Sequence, residues 1–123
     1  MSDDAKAAAI RTLERLRIEA RTSVLAAGLF SPEFQKWHAE VLDTLRRWFK
    51  ADDIVYADFL RILFEWPREQ LEEMIRSHPR FVPDPGPSED QWFAEAQSRR
   101  FEKALETVDE VLLTAIVDLR NRS

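Results

Sequence analysis

The chain has 123 residues, with 18 Lys and Arg against 23 Asp and Glu, a formal net charge of −5 and no Cys. This length suits one domain that buries about two-thirds of its unfolded surface, and the missing Cys removes disulfides, thiolate zinc sites and cysteine catalysis together. With 45% apolar residues and only 2 Gly, disordered and collagen-like classes are excluded and a turn-rich all-β fold is disfavoured.

From Asp3 to Ala27 the apolar positions Ala9, Leu13, Leu16, Ala20, Val24 and Ala27 recur at three- and four-residue steps, which predicts one stripe of an amphipathic helix. Asp3 or Asp4 can cap its start, and Gly28 is expected to stop it in the left-handed conformation. Arg11, Glu14, Arg15 and Glu19 form its wet face, with Arg15 and Glu19 attracting at four-residue spacing. The next boundary is sharp: Ser31 is an N-cap, Pro32 takes the first helical position, where its missing N–H costs nothing, and Glu33 suits the positive helix end. A second helix then runs to about Phe49 with Phe34, Trp37, Val41, Leu45, Trp48 and Phe49 on a broad apolar stripe.

Lys50-Ala51-Asp52-Asp53 interrupts that stripe, and its Asp residues are candidate caps for a third helix. The segment from Ile54 to about Trp66 is apolar on most sides, so a helix buried at the centre of the fold is expected. Pro67 ends or kinks it, because a residue before proline avoids the α conformation. A short fourth helix, with Pro67 in its first turn, sets Leu71, Met74 and Ile75 against a wet face of Glu69, Glu72 and Glu73. Residues 79–87 hold Pro79, Pro83, Pro85 and Pro87 with Gly86, a loop of polyproline II character. Ser88 and Gln91 read as a capping box for a last helix, whose apolar pattern from Trp92 to Leu119 continues without a breaker. Roughly 30 residues at 1.5 Å each make it a rod of about 45 Å. The expected fold is therefore a single all-α domain over residues 1–123, an antiparallel bundle of about five helices with long first and last members.

The chemistry-bearing residues are few. His38 and His78 have Gln35 and Ile75 three residues before them, so neither stands in the Glu-x-x-His pattern of di-iron bundles. Neither Gly lies in a phosphate-binding loop, and capping accounts for Asp52 and Asp53. No catalytic, metal or cofactor site is expected, and an enzyme resting on converging carboxylates such as Asp52 and Asp53 is the least favoured alternative. Arg46, Arg47 and Lys50, and again Arg99, Arg100 and Lys103, form candidate basic patches for nucleic acid, which the acidic balance disfavours. Eight Phe, four Trp and one Tyr exceed what a small bundle needs. Phe30, Trp48, Trp66, Phe81 and Trp92, near segment ends, are the candidate interface to a protein partner or a second copy. The sequence has no apolar run near the ~18–20 residues of a membrane span, and its acidic start is unlike a secretory signal. Cytoplasmic residence is the expectation.

The run S-P-E-F-Q-K-W-H-A-E-V-L-D-T-L-R-R-W-F, followed by D-D-I-V-Y-A-D-F, resembles the helical module at the N-terminus of bacterial proteins whose other half is a TIR-like or similar nucleotide-binding effector domain. Phe34, Trp37, Leu45, Phe49, Tyr56 and Phe59 carry the resemblance; Lys50 departs from it, standing where that pattern usually has Gly. It implies a regulatory or oligomerisation element, in a setting such as defence against phage, with structural rather than catalytic matching positions.

Overall fold

The computed structural model describes residues 3–77 and 89–122, and every regular element among them is helical. Helix α1 (Asp3–Glu19) passes into a π-helical turn over Ala20–Val24 and a last α turn, Leu25–Ala27. Helix α2 is Pro32–Trp48, α3 Ile54–Arg61, α4 Arg68–Ser77 and α5 Glu89–Asn121. The proline loop, the Ser88 cap, His78 and Phe81 lie outside the described residues.

Four of these helices make an up-down-up-down bundle. The buried Trp37 indole donates to the Leu16 carbonyl at 2.9 Å, and Arg15 pairs with Glu40, so α2 runs antiparallel to α1. His38 on α2 stacks near Phe59 on α3, while Arg46 Nε donates to the Tyr56 hydroxyl at 3.1 Å, which reverses the chain again. Helix α5 packs along both α3 and α1. Its end is tied to the start of α1, where Lys6 Nζ donates to the Arg122 carbonyl at 2.7 Å. The core between them holds Leu13, Leu16, Val41, Leu45, Phe59, Val108, Leu112, Ile116 and Leu119, all almost wholly buried. Outside it, Arg17 grips Asp109 through two bonds of 2.9 and 3.2 Å, Arg21 joins the same carboxylate, and Arg120 holds Glu14 at 2.8 Å. The Arg17 bonds, with Arg21 beside them, hold the Asp109 carboxyl below its ordinary range.

The start of α2 obeys its residue chemistry. Ser31 Oγ accepts from the Phe34 N–H at 3.1 Å and donates to the Gly28 carbonyl at 2.7 Å, with Pro32 in the first turn as expected. The end of α2 is closed from outside: Arg122 donates to the Trp48 carbonyl at 2.7 Å and lies over the Phe49 ring. A C-terminal carbonyl that its own helix leaves without a donor is thereby satisfied.

Five details differ from the sequence expectations. The stripe of α1 ends at Val24, and Ala27 is exposed, because the π turn takes an extra residue and rotates the final α turn about the helix axis. Gly28 stops the helix at φ 94° and ψ 172°, a positive-φ extended conformation rather than the left-handed helical one. Asp53 occupies the N-cap position of α3, but its side chain turns back to accept the Lys50 N–H at 2.8 Å and closes the 50–53 turn. Pro67 precedes α4 instead of lying within it, its carbonyl accepting from the Gln70 and Leu71 N–H groups.

The largest difference is the segment read as a central helix over 54–66. Helix α3 stops at Arg61 and sits at the edge of the bundle, with Ile54 75% and Leu60 56% exposed. Residues 62–66 instead alternate: Ile62, Phe64 and Trp66 turn inward while Leu63 and Glu65 face out, the period of an extended chain. This strap crosses to α5, where the Gln97 amide clasps Trp66, donating to its carbonyl at 2.7 Å and accepting its N–H at 2.6 Å. One side chain thus supplies both hydrogen bonds that a neighbouring strand would give. The element at the centre is the α1–α5 pair, whose seam runs the length of the bundle.

Candidate interaction surface

Most of the aromatic surplus goes inward. Phe34 lies at the middle of a cluster with ring centroids 5.9 Å from Trp37, 5.1 Å from Phe64 and 5.2 Å from Phe101, the last two edge to face, a favoured arrangement of ring quadrupoles. His38 shares that cluster, 5.3 Å from Phe59 and 5.4 Å from Phe64. Half-buried among rings, its imidazole has its pKa pushed below the ordinary value by burial. It is a packed histidine at the cluster's edge.

The sequence-derived interface residues do not come together as one patch. Trp48 is half-buried at the end of α2, near the C-terminal end of α5. Trp66 is half-buried in the strap with the Arg100 guanidinium 5.4 Å from its ring centre, and that ring serves the guanidinium where Arg100 Nε lacks a hydrogen-bond acceptor. Trp92 is half-buried against Phe93 near the start of α5. Phe30 alone of the four described is openly exposed, at 78%.

Phe30 stands at the rim of a cavity of about 440 Å³ between the α1–α2 turn, α4 and α5. Leu71, Phe93 and Phe101 give it a buried apolar floor, Leu25 and Leu29 its near wall, and Arg68, lying over the Phe93 ring, a cationic edge. Helix α5 extends past the start of α2, where Phe101 meets Phe34, and α4 reaches that overhang through Arg68 on the Phe93 ring, which leaves the cleft. The π turn brings Leu25 to it, 40% exposed. Leu25 and Leu29 were not legible as surface residues in the sequence, because a helical period carried through Val24 gives no sign of the extra residue. The size and apolar floor fit the insertion of side chains from another molecule.

The two basic clusters lie apart. Arg46, Arg47 and Lys50 surround the end of α2, next to Arg122, whereas Arg99, Arg100 and Lys103 lie some 20 residues earlier on α5, roughly 30 Å away at 1.5 Å per residue. Arg46 reaches Tyr56 and Asp43, Arg99 pairs with Glu95 at 3.3 Å, and Arg100 is spent on Trp66. Of the acidic side, Glu72 is engaged by Arg68 at 3.2 Å and Glu69 and Glu73 are exposed. Among the described residues no three His, Asp or Glu converge in a metal-binding group, and no described helix is long and apolar enough to cross a membrane.

These features define an all-α protein: a four-helix antiparallel bundle with a lateral fifth helix and an apolar cleft at one end. Comparison with known proteins finds no matching family model, no similar curated protein and no similar solved structure.

Proposed function

We propose that this chain is a non-enzymatic helical interaction module, acting by burying an apolar surface against a protein partner or a second copy. The observation that carries the reading is Phe30, a large ring left in solvent beside a cleft with a floor of Leu71, Phe93 and Phe101. Aromatic anchors beside preformed pockets supply a disproportionate share of binding energy at interfaces. The separation of the cations into two clusters, each interleaved with acids, supports protein over nucleic acid as the partner. The resemblance to effector-linked bacterial modules suits a regulatory subunit of a defence system, and an effector gene beside this one would strengthen that view.

The test compares the wild-type chain with Phe30→Asp in affinity capture from the host and in light scattering. A specific bound species that is lost in the variant, at unchanged melting temperature, supports the reading. A chain that is monomeric at every concentration and retains nothing dependent on Phe30 refutes it.

A further inference from the structure

The side of α5 turned away from the core carries an ordered pattern at alternating four- and three-residue steps, the spacing of a coiled-coil seam. Its ends are apolar: Trp92 and Ala96 near the start, Leu113 and Val117 near the finish, the last two 43% and 46% exposed. Its middle is charged and divided by sign, with Arg99 and Lys103 followed by Glu106 and Glu110, all exposed. Among the described residues the side chains of Lys103, Glu106 and Glu110 enter no ion pair, and Arg99 meets only Glu95 on its own helix. Helix α1 covers one flank of this face at Asp109, and α3 the other at Val111; among the described residues the face's positions from Arg99 to Val117 stay exposed along roughly 27 Å, while Trp92 and Ala96 are half-buried.

The pattern is complementary to its own reverse. We propose that the outer face of α5 pairs antiparallel with the same face of a second copy of this chain, about a two-fold axis between residues 104 and 105. That alignment sets Trp92 against Val117 of the other copy, Ala96 against Leu113, Arg99 against Glu110 and Lys103 against Glu106. Each contact occurs twice by symmetry, as an isologous interface requires. A parallel alignment would instead place Arg99 on Arg99 and Glu106 on Glu106. The same two Glu would repel a phosphate backbone, so Arg99 and Lys103 serve this face better as ion-pair partners than as a nucleic-acid patch.

The inference rests on the proposed interaction role and names its partner as a second copy, through a face distinct from the Phe30 cleft. One helix pair makes a small interface, so a reversible dimer of micromolar affinity is expected, weakened by salt as exposed ion pairs are. The experiment uses two charge variants, Glu106→Lys with Glu110→Lys, and Arg99→Glu with Lys103→Glu, measured by sedimentation equilibrium. The wild type should dimerise, and each variant alone should lose at least tenfold in dimer affinity because like charges then face each other. An equimolar mixture of the two should form a heterodimer, since all four charged contacts are complementary again. Circular dichroism melts establish that both variants fold, and the recovery on mixing excludes misfolding by itself. A monomeric wild type, a dimer indifferent to both variants, or a mixture that stays monomeric overturns the proposal. Partner capture through Phe30 is read in the same variants, so failure of the α5 seam is distinguishable from failure of the interaction role.

Discussion

Trp37 ties α2 to α1 through a buried hydrogen bond, and its replacement by Phe gives a worked test of the fold. The indole is 2% exposed, packs near Phe34 and Phe64, and donates to the Leu16 carbonyl at 2.9 Å. Trp37→Phe keeps an aromatic ring in the cluster but removes one or two methylene-sized groups of buried surface, at about 0.8 kcal/mol each. It also removes a hydrogen bond of about 1 kcal/mol net. Leu16 lies within α1, where its carbonyl has a helical donor available, so no buried acceptor is left wholly without a partner. The sum is about 2 kcal/mol, a fall in melting temperature of roughly 6–10 °C for a domain of this size. Trp37→Ala, which empties the site, should cost about 3–5 kcal/mol. Urea titration followed by far-ultraviolet circular dichroism measures both, with the slope of the transition checked for constancy. A Trp37→Phe protein within half a kcal/mol of wild type, at unchanged slope, would show that the indole N–H and its extra ring contribute nothing to α1–α2 docking.

Two further perturbations probe local features. Burial lowers the pKa of His38 in the folded chain, whereas the unfolded value is about 6.5; the folded state therefore binds fewer protons. Stability from this residue is complete above about pH 6.5 and is lost as the pH falls below that value through the folded pKa. His38→Phe should flatten the dependence of the urea midpoint on pH between neutral and mildly acidic conditions, and an unchanged slope would place the imidazole in water. Gly28→Ala meets no atom within 4 Å of the new Cβ, yet must hold φ near +94°. Its cost, about 1–3 kcal/mol, is backbone strain alone, and a variant as stable as wild type would mean that the turn adopts another conformation in solution.

What the sequence made legible was local. Ser31-Pro32-Glu33 fixes the start of α2 because a hydroxyl acceptor, a residue without an N–H and an acid each suit a helix N-terminus. The long periodic stripes of α1 and α5 announced an all-α bundle because a single face of large apolar residues has to be covered by another helix. Capping chemistry and period act over a few residues, so they survive without knowledge of the neighbours. The aromatic excess was equally visible, but its destination was not. Phe34 and Phe64 lie thirty residues apart in the chain and meet in one cluster, while Phe30, four residues from Phe34, stays in water.

Tertiary structure decided what the mostly apolar run from Ile54 to Trp66 becomes. Interrupted only by Asp58, Arg61 and Glu65, it has too weak a period to choose between helix and extended chain, and the choice fell to contacts from afar. Val55 and Phe59 face the bundle as a short helix, and then Gln97, on α5, offers Trp66 both a donor and an acceptor and draws residues 62–66 into a strap. The π turn in α1 and the cleft it helps to shape belong to the same class of outcome, set by how helices of unequal length meet. The charge order along the outer face of α5 was written in the sequence throughout. It became readable only once the bundle had shown which face of that helix the core leaves to solvent.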